Sequence, residues 1–239
     1  PDPALFPDAA FRAAYDEAIA FGAGHQESYG LEAAGVFAAA VAAAFVPGTS
    51  IDTVVDTVLD LARDGTRAAI ADIAEAAHDA RRKGHDHAAT TAAFHRVMAR
   101  FSPMGDDVTH TAAKVGRLTD AYQPSRLRSI EELPLALGFA LVNGGDFRRS
   151  VEDGVNSGRD TDSIGVMAGA ILGALHGEGV IRDDDRRALD TANRLDLTAS
   201  ADRLAGIAQD IMAADAARIA QAEAGRAALL GRVPEPNKD

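Results

Sequence analysis

Residues 156–164 read Asn156-Ser-Gly-Arg-Asp-Thr-Asp-Ser-Ile164, and Gly165-Val-Met-Ala-Gly-Ala-Ile-Leu-Gly-Ala174 follows at once. A Gly-containing loop turns here into an apolar stretch, with Asp160, Asp162 and Ser163 at the entry, which is the pattern of a helix start. Gly165, Gly169 and Gly173 fall at i, i+4 and i+8, so one face of that helix carries no side chains. Each glycine weakens a helix by roughly 1 kcal/mol against alanine, and three of them demand a packing reason. A face stripped in this way permits a very close approach of a second helix.

Outward from this stretch the chain is punctuated helix. Asp8 to about Phe21, Tyr29 or Leu31 to Val46, Thr49 or Ser50 to near Gly65, Thr66 to Lys83 and His85 to Arg100 each begin near a capping residue or end at Gly or Pro. The third of these places Ile51, Val54, Val55, Val58, Leu59 and Ala62 on one stripe. Residues 102–128, interrupted by Pro103, Gly105, Gly116 and Pro124, read as mostly loop with one short helix. Helical patterning returns at Ile130–Val142, Phe147–Val155, Ser163–Leu175, Asp183–Arg194 and Thr198–Leu230, and the tail beyond Gly231 reads as frayed. No strand-like run and no fixed repeat interrupts this order, and the connections are short, as in a compact bundle.

Composition agrees. Of 239 residues 52 are Ala, aromatics are 5% and Trp is absent, which favours closely packed helices over a sandwich built from β-branched and aromatic residues. The fold class expected is all-α. A net charge of −12 disfavours nucleic acid as a polyanionic partner. The absence of Cys removes disulfides, thiolate nucleophiles and metal–thiolate sites, so any metal must be held by oxygen or imidazole. Apolar runs such as Ala33–Val46 are too short for a bilayer and no leader pattern opens the chain, so no membrane partner is expected and the protein is read as cytoplasmic.

Asp160 and Asp162 sit two apart with the Ser163 hydroxyl beside them, where the positive end of a helix dipole favours negative charge. Oxygen donors converging there suit a hard divalent cation. The same residue types are also ordinary helix caps, and spacing alone leaves both readings open.

Gly158-Arg-Asp-Thr-Asp-Ser-Ile164, the following Ala168-Gly-Ala-Ile-Leu-Gly-Ala174, Leu133-Pro-Leu-Ala-Leu137 and Gly144-Gly-Asp-Phe147 together resemble the C-terminal signature of the ADP-ribosylglycohydrolase (dinitrogenase reductase-activating glycohydrolase-like) family. Tyr29-Gly-Leu-Glu-Ala-Ala-Gly-Val-Phe-Ala-Ala-Ala-Val-Ala-Ala-Ala-Phe45 is similar to that family's central helix. The resemblance runs from about His25 to about Gly177. It implies a compact, orthogonal multi-helix bundle with one or two Mg²⁺ or Mn²⁺ ions in a central cleft. Asp160, Asp162 and Ser163 are then metal ligands, and His25, Ser28, Tyr29 and Gly30 line an ADP-ribose site.

The resemblance further implies an N-terminal Gly-Asp-Ala-x-Gly stretch and a Thr-Asp-Asp-Thr block, neither of which precedes His25. With Pro as residue 1, residues 1–239 are expected to form a single all-α domain that is the C-terminal two-thirds of a longer one, a missing N-terminal segment completing the site. The implied function is metal-dependent hydrolysis of the glycosidic bond of ADP-ribosyl or related ribosyl substrates, with no catalytic acid or base assigned. The alternatives are a catalytically silent ADP-ribose-binding module on the same fold, and a helical interaction protein whose acidic turn is only a cap.

Other candidates carry less. His85-Asp-His87 reads as an exposed helix start or a weak metal pair, and Asp106-Asp107 with Thr109 as a solvated loop. Asp183–Asp185 before Arg186 and Arg187 matches a charged helix N-terminus. His95, His110 and His176 show no partner in the sequence.

Overall fold

The computed structural model describes residues 8–24, 26, 29–101, 130–194 and 196–231, and it is all-α among them: ten α-helices, one 3₁₀ turn and no strand. The chain divides into two compact units, Pro1–Val180 and Ile181–Asp239.

The first unit is organised around α6 (Glu132–Val142). Its sequence Glu-Leu-Pro-Leu-Ala-Leu-Gly-Phe-Ala-Leu-Val has no polar face beyond its first residue, so it can sit only where other helices surround it. Every residue from Ile130 to Leu141 is buried. Pro134 is tolerated because it lies in the first turn, where its missing N–H has no intrahelical acceptor to lose. Gly138 sits at mid-helix for a steric reason. A Cβ there would lie 2.4 Å from Ile73 Cγ2 and 3.0 Å from Phe94, the side chains that α4 (Asp64–Lys83) and α5 (His87–Met98) press against it. Phe94 and Phe139 meet edge to face at 5.0 Å.

Around α6 pack α4, α8 (Thr161–His176), α7 (Phe147–Asn156) and, at its margin, α3 (Ile51–Leu61). The helix likened from sequence to a family central helix is α2 (Tyr29–Ala44). It packs on α1 (Asp8–Gly22), α3 and α8, and half of its residues stay only partly covered, so the helix enclosed on every side is α6. Glu32 of α2 ties its neighbours together, accepting from the Tyr15 hydroxyl of α1 and, at 2.7 Å, from the Arg63 N–H before α4. Burial and the Glu32 carboxylate push the Tyr15 phenol up to about 12.

Helix ends match the sequence pattern to within two or three residues. Ser50, Asp86 and Asp146 accept from the amides of Thr53, Ala89 and Arg149 at the starts of α3, α5 and α7, and left-handed Gly84 ends α4. The loop reading of 102–128 and the frayed tail of 232–239 lie outside the described residues.

The second unit holds α9 (Asp183–Asn193) and α10 (Leu197–Leu230), the latter capped by Asp196. Arg186 and Arg187 pair with Asp183 and Asp184 one turn back, as the acids-then-bases pattern predicts. Among the described residues no helix is long and apolar enough to cross a membrane.

Candidate functional site

The residues around α8's entry divide into one that turns inward and three that do not. Ser157 closes α7 by donating to the Gly154 carbonyl at 2.7 Å, and the backbone then passes through two left-handed residues, Gly158 (φ 83°) and Arg159 (φ 67°). Glycine adopts that conformation freely and arginine does not. Arg159 folds its side chain into the interior, where Nη1 lies 3.0 Å from Glu131 Oε1, and both side chains are 1% exposed. Glu131 is the residue just before α6, so this ion pair fastens the α7–α8 turn to the most enclosed helix of the unit.

Asp160 stands at the N-cap of α8 without acting as a cap, since its carboxylate bonds none of the helix's first amides. It is half-buried, Asp162 is exposed and Ser163 is half-buried in the first turn. Among the described residues no hydrogen bond or ion pair engages the Asp160 or Asp162 carboxylate. Two carboxylates and a hydroxyl within four residues, uncommitted to the fold, suit in kind one side of the oxygen shell of a hard divalent cation. Among the described residues no third carboxylate or imidazole joins them in a metal-sized cluster.

The glycine face of α8 is used in part. A Cβ on Gly165 would lie 2.9 Å from Val155 of α7, one on Gly169 would lie 3.8 Å from Val151, and one on Gly173 would meet nothing within 4 Å. The register is antiparallel, so Gly173 falls opposite Phe147, the first residue of α7, where the two helices have already parted. Gly154 returns the contact, leaving room for Ile164 at 2.9 Å.

Of the four residues assigned to the substrate loop, His25 and Ser28 lie outside the described residues. Tyr29 is the half-buried first residue of α2, and its hydroxyl lies 2.6 Å from where a Cβ on Gly65 would stand. Gly30 is buried, with Gln26 over it. The helices bearing the two sets, α2 and α8, pack on each other.

His85-Asp-His87 is a helix start, as its sequence implies, since Asp86 caps α5. His87 Nδ1 lies 3.2 Å from Asp153 Oδ1, and Asn143 donates to the other oxygen at 2.8 Å. His176 has a partner that the sequence hid, the Gly145 carbonyl at 2.8 Å from Nε2.

A family model described as ADP-ribosylglycohydrolase matches residues 3–218. The chain belongs to that family. The match is wider than the 25–177 stretch of the sequence resemblance, and it takes in α9 and the first part of α10. Over 77 residues the chain is 40% identical to an Escherichia coli (strain K12) protein, uncharacterized protein YegU, which is 32% of this chain and 23% of that protein. The match therefore spans about a quarter of the curated relative's length. No solved structure matches this chain.

Proposed function

We propose that this protein is a glycohydrolase that cleaves the bond at the anomeric carbon of ADP-ribosyl groups with the help of Mg²⁺ or Mn²⁺, one or two ions, held on one side by Asp160, Asp162 and Ser163. The observation that carries the reading is the Asp160 carboxylate, which occupies a capping position and leaves the cap unmade. When bound, such an ion supplies positive charge beside the ribose hydroxyls and the departing group.

The chain's own contribution is placement. Cleavage of a glycosidic bond passes through an oxocarbenium-like state, and the ribose must be held with its anomeric carbon open to water. Asp160 and Asp162 stand at the start of α8, a helix anchored by buried Ile164, Ala168, Ile171 and Leu172. Tyr29 and Gly30 stand at the start of α2, and His25 and Ser28 precede them; these four are the proposed contacts to ADP-ribose. Further ligands and the group that activates water are expected from residues beyond this set, including an N-terminal segment if the full protein has one.

The test is hydrolysis of an ADP-ribosylated substrate by the full-length protein with Mg²⁺, wild type against Asp162→Asn. Loss of one electrostatic contact made in the transition state sets the scale, a fall in kcat/KM on the order of 100-fold or more. Equal rates would overturn the assignment. Binding of ADP-ribose without turnover, unaffected by chelation, would replace it with the silent binding module.

A further inference from the structure

We propose that Arg159 is the positioning residue of the acidic turn: paired with Glu131, it holds the Gly158–Arg159 backbone left-handed, and that backbone presents Asp160 and Asp162 to the cation. The inference rests on the cation-binding reading of that turn.

Three observations lead to it. Arg159 is a long side chain in a conformation that L residues disfavour, and such strain persists only where the surroundings over-determine it. The surroundings here are the 3.0 Å ion pair with Glu131, closed to solvent on both sides. Moreover, a buried ion pair is a poor way to gain stability, because apolar side chains of the same volume commonly do as well. A pair retained at such cost calls for a role in specifying geometry. Finally, the pair joins the turn to the residue before α6, which has buried neighbours on every side, while the next residue along the chain is the uncapped Asp160. A ligand turn supported from behind by hydrogen-bonded residues keeps its donors in register. Arg159 cannot itself touch a substrate, since its side chain is 1% exposed, and its action is therefore through its neighbours.

The consequence is separable from folding. Replacing both partners with apolar residues of similar size, Arg159→Met with Glu131→Leu, removes both charges of the pair together. In the full chain, with Mn²⁺ as probe, affinity is read by calorimetry and by the electron paramagnetic resonance signal of the bound ion, and melting is followed in EDTA. The expected result is a melting temperature in EDTA near that of wild type together with Mn²⁺ affinity reduced tenfold or more and a broadened signal. Arg159→Lys, which keeps the charge but offers a single point contact in place of a planar fork, is expected to fall between the two.

A double variant that binds Mn²⁺ as tightly as wild type, with an unchanged signal, overturns the inference and leaves the cation reading standing. Wild type that shows no Mn²⁺ binding at all overturns both. If the double variant fails to fold, Arg159→Lys decides: an affinity and signal equal to wild type overturn the proposal, and a threefold or greater loss in a folded protein supports it.

Discussion

Helix α7 is entered and left by turns that look alike. The first reads Gly144-Gly-Asp146 and the second Gly158-Arg-Asp160, each with two successive left-handed residues, φ 62° and 82° in one and 83° and 67° in the other, and each ending on an aspartate at the next helix's N-cap. The first turn is built as a connector. Both left-handed positions are glycine, Asp146 accepts from the Arg149 amide at 2.8 Å, and His176 ties down the Gly145 carbonyl. The second uses arginine where glycine would be unstrained, buries it against Glu131 and leaves its aspartate unbonded. A connector has no need of either feature. The contrast separates an aspartate that holds a helix from one left available for other chemistry, although both stand at the N-cap after two left-handed residues.

The largest expected effect lies in the buried pair. Arg159→Met alone leaves the Glu131 carboxylate enclosed without its counter-charge, and removal of one partner of such a pair costs about 3–5 kcal/mol. Urea unfolding followed by circular dichroism should show that loss, and Arg159→Met/Glu131→Leu should recover most of it. A single variant as stable as wild type would mean that Arg159 does not hold the second turn, and the two turns would then differ in sequence only.

The next effect, from the connector, is smaller. Gly145 has φ 82°, and a Cβ there would meet Ile51 and His176 at 3.5–3.7 Å, which is ordinary contact. Gly145→Ala should therefore cost only its backbone strain, roughly 1–2 kcal/mol. A loss far above that in the same unfolding assay would show that the turn is packed as tightly as Gly138, and that the difference between the two turns is not one of strain.

Much of the fold is legible from the chain because its punctuation is local. Ser50, Asp86 and Asp146 are caps in sequence and in space, Gly84 is a left-handed stop, and an apolar run such as Leu133–Leu141 admits no exposed face. The Asp160-Thr-Asp-Ser163 block is also plain in the sequence, as are Tyr29 and Gly30. The support behind the block is not, because it is a contact between residues 28 apart. Arg159 in a Gly-Arg-Asp loop looks like a solvated cation. One signal did exist: Glu131-Glu132 runs straight into a helix with no polar face, and carboxylates carried into such a place need partners. Gly173 illustrates the reverse error. A glycine period identifies a face but not how far the opposing helix stays close to it, and at Gly173, opposite the first residue of α7, nothing comes within 4 Å of a Cβ.

The smallest and most discriminating effect concerns the two aspartates themselves. Removing a side chain that caps a helix costs about 0.5–2 kcal/mol, so Asp146→Ala should lower stability by about 1 kcal/mol in EDTA. Asp160→Ala, which removes no cap bond, should lower it by less than about 0.5 kcal/mol under the same conditions. With Mg²⁺ the ranking should invert. A ligand at 100 times its Kd stabilises the state it binds by about 2.7 kcal/mol, an increment that Asp146→Ala should keep and Asp160→Ala should lose. Equal losses for the two variants in EDTA, with no response of either to Mg²⁺, would make Asp160 a cap in solution like Asp146 and reduce the second turn to a strained copy of the first.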